Sequence, residues 1–458
     1  MPKAFFALCI AALAASQYAC SLSGSSSPDT TRLETAVAST LTVLSSGDPR
    51  SNARQKTEKP GAGQADDPAT HPAHPAPVEA ICIAYTDQGN VWIREGENPP
   101  RQLSDSGDAT RVFLSSDGSL VTYLQSRLSG EDVELRVVNV DGSGDQVILD
   151  QTEFDSLYPL DEARHFQPGQ IDFLSGTHLL LFNTQAVVEG ADLPKNDDLF
   201  SYDVDTGSLD RLLERRRGGD FYPSPAGTLL AIIRATSIDF ADADGTNLRP
   251  GLMTFPEVKT YSDTSYYPEP IWASDSSHLA VVIPSRDPLA PDPTSSVWFL
   301  SEDGSSAVQM ASIDGQSYFP QAFGAPVISP GLNRIAILRP GMEQNEEHLI
   351  ITDEDGDGEM LYTAGDLRWI GWAPDGSAFA YSLGPSELKL GQIGEPPQPL
   401  GTGTHFRWIN SQDYVFLTGS GGNWNLMRGT VGATIEVIAQ PSGNIVAYDF
   451  IVCNKNTE

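Results

Sequence analysis

Apolar and polar residues alternate in short runs from about residue 80 onward, and the runs are separated by Gly, Asp, Asn, Ser and Pro. The clearest run is IGWAPDGSAFAYS at 370–382. An apolar and aromatic lead enters a turn at Pro374, Asp375 and Gly376, and alternation resumes through Ala378, Phe379, Ala380 and Tyr381. A period of two is that of a half-buried strand, and Asp-Gly suits a tight reversal, so the phrase predicts two antiparallel strands joined by a turn. The same phrase returns in altered wording as VFLSSDGSLVTYL at 112–124, IDFLSGTHLLLF at 171–182, FYPSPAGTLLAII at 221–233, IWASDSSHLAVVI at 271–283, VISPGLNRIAIL at 327–338 and FRWINSQDYVFL at 406–417.

A second phrase follows the first within the repeats, in which a strand ends in an acidic turn. It reads LRVVNVDGSG at 135–144, LFSYDVDTGS at 199–208, IDFADADGTN at 238–247, VWFLSEDGSS at 297–306 and LIITDEDGDG at 349–358. Two hairpins per unit, with units commonly about 50 residues apart, match a four-stranded blade repeated around an axis. The expected fold is therefore all-β, a β-propeller of about eight four-stranded blades, or seven if one divergent copy is not a full unit. The first hairpin, ICIAYTDQGNVWIRE at 81–95, lacks the leading strand and turn that open every later repeat. An extra strand, NIVAYDFIV at 444–452, follows the last repeat and can fill that place. Pairing of these two strands would close the ring and remove its exposed sheet edges.

Length adds little to this picture, because a repeat architecture extends one domain far beyond the usual size, here within 458 residues. Charge excludes more. Lys plus Arg number 28 against 61 Asp plus Glu, a formal net charge of -33, and that field disfavours nucleic acid as a partner. Residues 1–19 read as a signal peptide, with Lys3 at its start and an apolar run over 4–15 too short to span a bilayer. Residues 20–78 are rich in Ser, Thr, Asp, Pro and Gly and poor in large apolar side chains, as a flexible linker is. His71 and His74 fall in this linker, where Pro72 and Pro75 break any helical ligand spacing. The propeller is expected over 79–454.

The chain contains no His-Glu-x-x-His, no Gly-x-x-x-x-Gly-Lys, no paired-cysteine zinc signature and no Gly-x-Ser-x-Gly elbow. No catalytic or cofactor-binding residue stands out. Asp353, Asp355 and Asp357 alternate ahead of Gly358, with Glu359 next, as in the first half of a calcium loop. They form either a calcium site or a plain acidic hairpin, since the closing acid of a full loop is replaced by Ala364. Trp272, Trp372 and Trp408 precede the first turn of their repeats, where a large ring packs between blades. Cys82 and Cys453 are the cysteines outside the signal region, and strand pairing at the closure would set them side by side, as a disulfide or as two buried thiols.

The paired phrases, and WAPDGSAFAY at 372–381 above all, resemble those of the TolB-like propellers, a WD-repeat-like family of exported bacterial proteins. The resemblance spans 81–453 and implies blade building and a protein-binding or envelope-scaffold role. Ala19 and Cys20 resemble the junction of a bacterial lipoprotein signal, which implies lipidation of Cys20, although Gln17 departs from the aliphatic residue usual there and ordinary secretion is the other reading. Ser21 implies sorting to the outer membrane, where the organism has one. The function expected is that of an exported, membrane-anchored propeller binding a protein or envelope component. The alternative is a carbohydrate-active hydrolase or lyase at the channel mouth, favoured if perturbed carboxylates and a basic residue converge there.

Overall fold

The computed structural model describes residues 80–453, apart from 128–131, 162, 190–193, 262–263, 288–292, 315–326, 344 and 444–445. The expected signal peptide, Cys20 and the expected linker lie outside the described residues. Every repeat phrase becomes a hairpin. In the sixth blade Leu367–Trp372 pairs with Ala378–Leu383, Trp372 standing opposite Phe379, and the turn between them closes with Gly376 N–H donating to Ala373 O at 2.8 Å. Asp375 Oδ1 accepts from Ser377 N–H at 2.9 Å, and Gly376 has φ +72°, a conformation that costs glycine nothing.

Eight antiparallel blades result. The first seven are read from the axis outward in chain order. Their innermost strands are Ala109–Leu114, His165–Phe173, Asp220–Pro223, Ile271–Trp272, a stub bridging Ile328 to Ile335, Leu367–Trp372 and Thr404–Trp408. The eighth is composite: Tyr448–Val452 lies innermost against Ile81–Asp87, then Asn90–Glu95 and Arg101–Gln102. Its register sets Ile81 opposite Val452 and Tyr85 opposite Tyr448, and Cys453 N–H donates to Ala80 O at 2.8 Å beyond the ladder. Cys82 and Cys453 form a disulfide with Cα atoms 5.4 Å apart.

The core is a sequence of apolar clusters between neighbouring blades, each filled by the inward faces of two sheets. One joins the closing blade to the first through Ala84, Val112 and Tyr123, and the next joins first to second through Leu135, Phe166 and Phe182. Others link second to third, third to fourth, fourth through sixth, and sixth to seventh. The last returns from the seventh to the closing blade through Val415 and Tyr448, so the ring is complete. The inner tryptophans sit in these seams as expected. Trp272 Nε1 donates to Tyr222 O at 2.9 Å and Trp372 Nε1 to Val327 O at 2.7 Å, each reaching the preceding blade.

One short helix, Gln151–Ser156, joins the first blade to the second. The alternation did not predict it; its signal was the Asp150 and Glu153 pair, which forms a reciprocal cap while Phe154 is fully buried below.

Candidate functional site

Antiparallel blades sort their connections by face. The turns between inner and second strands, and between third and outer strands, lie on one face. The links from second to third strand and from blade to blade lie on the other. The described parts of the long connections, 188–189, 194–198, 255–261, 264–270, 285–287 and 293, belong to this second face.

The channel holds the first cluster of charge. Inner strands of the closing, first, second and seventh blades border a cavity of about 300 Å3, lined among others by Arg111, Phe113, Asp172, Arg407, Tyr448 and Asp449. Asp449 is fully engaged: one oxygen pairs with Arg407 at 2.9 Å and the other accepts Leu114 N–H at 2.9 Å. Arg407 also donates to Tyr448 O at 3.1 Å and lies over the Phe450 ring at 4.7 Å. Arg111 donates to Gly169 O at 2.8 Å and rests on the Phe113 ring at 5.0 Å. Asp172 opens onto the channel yet is ringed by protein. Its carboxyl is pushed up to about 6, by loss of hydration first and by the Asp449 charge second.

The second cluster is at the mouth on the long-connection face. Lys195 forms an ion pair with Asp220 and lies 3.9 Å from the centre of the Tyr267 ring, whose hydroxyl donates to Asp197 at 3.0 Å. Asn183 braces Asp220 through a 3.2 Å hydrogen bond. Burial pushes Asp197 up to about 6. Glu269, though partly exposed at the rim, is pushed up to about 7, by lost hydration ahead of the Asp220 charge. These residues come from two connections and from the strands Leu179–Val187 and Asp220–Pro223, so spacing along the chain gave no sign of them.

On the opposite face Ser119, His178 and Asp205 stand at triad-like distances. Ser119 Oγ is 3.1 Å from His178 Nε2, and His178 Nδ1 is 2.8 Å from Asp205. Asp117, however, lies 3.0 Å from the same Nε2 and also accepts from Ser119 Oγ at 2.9 Å. A carboxylate at each nitrogen favours the doubly protonated ring, whose pKa is raised by the hydrogen bonds to Asp205 and Asp117. Asp117 shares both Nε2 and Ser119 Oγ, so the arrangement departs from a serine–histidine relay and links two neighbouring blades.

The acidic turn at Asp353 is a hairpin: Asp353 N–H donates to Asp357 O at 3.0 Å and Asp357 N–H to Asp355 Oδ1 at 3.1 Å. Glu359 is drawn away to Arg339, which holds both of its oxygens, at 2.7 Å on one side. The four acids are not brought to one point, and no metal-holding group of three or more His, Cys, Asp or Glu occurs among the described residues.

No family model matches the chain, and no curated protein matches it. Solved structures similar to it include TolB from Acinetobacter baumannii, at 14% identity and TM-score 0.30 over 61% of this chain and 62% of that one. A eukaryotic initiation factor matches at 11% identity and TM-score 0.46, over 81% of this chain and 98% of that one. An oligogalacturonate lyase in complex with manganese matches at 14% identity and TM-score 0.42, over 74% and 82%. At these identities the likeness is one of fold, and the β-propeller itself rests on the eight blades and their closed succession of cores.

Proposed function

We propose that the chain is an exported, lipid-anchored propeller that binds a protein or another envelope component without catalysing a reaction. The observation that carries this reading is the meeting of Lys195 and Asp197 with Tyr267, from two separate connections, on one face of the ring, since loops on a fixed scaffold are where recognition is placed. The Cys82–Cys453 bridge supports an oxidising compartment, and the leader ending at Cys20 supports anchoring. A cysteine carrying three acyl chains supplies more than the two signals stable attachment needs. Changing Cys20→Ser is expected to move the protein from membrane to soluble fractions and abolish lipid labelling; unchanged fractionation and labelling would refute the anchor. For recognition, the full chain is used as bait in an envelope extract beside a loop variant whose exposed Pro194 and Lys195 are replaced by Gly and Ser. A partner lost from the loop variant but kept by Asp303→Ala on the opposite face supports the reading. Equal capture by all three would sink it.

The mouth cluster favours a second reading, an enzyme using Glu269 and Asp220 as acid and base beside Lys195. Hydrolase or lyase activity on a polysaccharide panel that disappears in Glu269→Gln, with the fold unchanged, would establish it. Activity unaffected by that change would dismiss it.

A further inference from the structure

The channel cavity contains two charges of opposite sign that do not meet each other. Arg111 hangs from the first blade, held by Gly169 O and the Phe113 ring, and among the described residues no carboxylate forms an ion pair with it. This is notable in a chain with 61 acidic residues against 28 basic ones, where a half-buried guanidinium has no shortage of counterions. Asp172, on the neighbouring inner strand, lines the same cavity and forms no ion pair with Arg111 or Arg407. Asp449 pairs with Arg407 instead of Arg111, and its other oxygen accepts the Leu114 amide.

A desolvated charge left unpaired costs free energy, and fixing it in place with a carbonyl and a ring makes it a pre-organised receptor for an anion. Arg111 uses one of its five N–H donors on protein, which leaves a fork able to take a carboxylate. Burial lowers the Arg111 pKa, as expected of a cation whose counterion is not part of the chain. Asp172 offers the opposite pole, an acceptor for a hydroxyl or ammonium group. The space between is about 300 Å3, at the small end of ligand pockets.

We propose that the channel binds a small carboxylic acid bearing a neighbouring hydroxyl or ammonium group, its carboxylate on Arg111 and its donor on Asp172. This goes beyond the loop-face reading and stands or falls separately from it, because the cavity lies on the axis.

The test is calorimetric titration of the full chain at constant ionic strength with glycolate, gluconate, glycine and glutamate, with acetate and inorganic phosphate as controls. Saturable binding of a hydroxy or amino acid is expected, weakened at least about ten-fold in Arg111→Gln but unchanged in Arg101→Gln on the outermost strand. Circular dichroism of each variant separates lost binding from lost fold. Asp172→Asn supplies the second arm: it weakens an amino acid more than a hydroxy acid, which identifies the donor, and it binds acetate no differently from the natural chain. Absence of saturable binding by all four acids would overturn the site. So would equal binding by folded Arg111→Gln, or acetate and phosphate binding as tightly as the four acids.

Discussion

At the residue scale, His178 and Asp172 respond to pH in ways that can be signed in advance. The His178 pKa is raised in the fold, so the stabilisation it brings is fully present below its ordinary value of 6.5 and fades as pH rises through the folded value. His178→Asn should therefore lose up to about 1 kcal/mol at pH 5.5 and little at pH 9, read by urea unfolding at both. Asp172 is the reverse kind of case, an acid raised from 3.8 to about 6. The folded chain holds that proton more firmly than the unfolded one, so stability declines as pH climbs across this window. Asp172→Asn should gain about 1 kcal/mol at pH 7.5, after allowance for screening by channel water, and nothing at pH 3.5. Neither residue was legible beforehand. His178 is one letter in THLLL, and its two carboxylates arrive from a different blade and a different turn. The sequence did single out the Asp353, Asp355, Asp357 and Glu359 run, but proximity along a chain does not decide where side chains point, and Arg339 claims Glu359 from across the sheet.

At the element scale the hairpins were the most readable part, because a period of two and a Gly or Asp turn act locally. The third strands hide a further rule. Gly391 stands opposite Phe379 in the sixth blade and Gly429 opposite Tyr414 in the seventh, and in each pair the second-strand ring lies over the glycine. A methyl group at Gly391 would come within 2.2 Å of the Phe379 ring, and at Gly429 within 2.4 Å of Tyr414. Both rings are buried. Gly391→Ala should cost about 1–3 kcal/mol as an overpacked core does, and adding Phe379→Leu should recover part of it. A thermal melt of the single and double variants checks this; a neutral single substitution would show that the ring has room to move. KLGQ and MRGT carried the signal, yet a glycine in a strand is also read as a bulge, and cross-strand register is what separates the two.

At the scale of the whole molecule, the missing strand of the first hairpin was enough to predict closure, since an unfilled place in a ring has few candidates to fill it. The mouth cluster was not, because it depends on two connections and two strands meeting in space. The bridge across the closure spans 371 residues of sequence, and its reduction should lower stability by up to about 5 kcal/mol. The paired Cys82→Ser and Cys453→Ser variant should still fold, since the ladder from Ile81 to Tyr85 remains, but melt earlier under otherwise equal conditions. An unchanged melt would mean that the ladder alone sets the limit. The composite blade also has a consequence for biosynthesis. Ile81–Asp87 leaves the ribosome with one side of its ladder bare, and the strand that covers it is translated some 370 residues later. At about 5–20 residues per second that interval is tens of seconds, during which a nascent chain carries an open, apolar strand edge. A stalled or prematurely terminated message would therefore release sticky products instead of smaller rings, and the cell's holdases and proteases would meet this protein chiefly in that unfinished form.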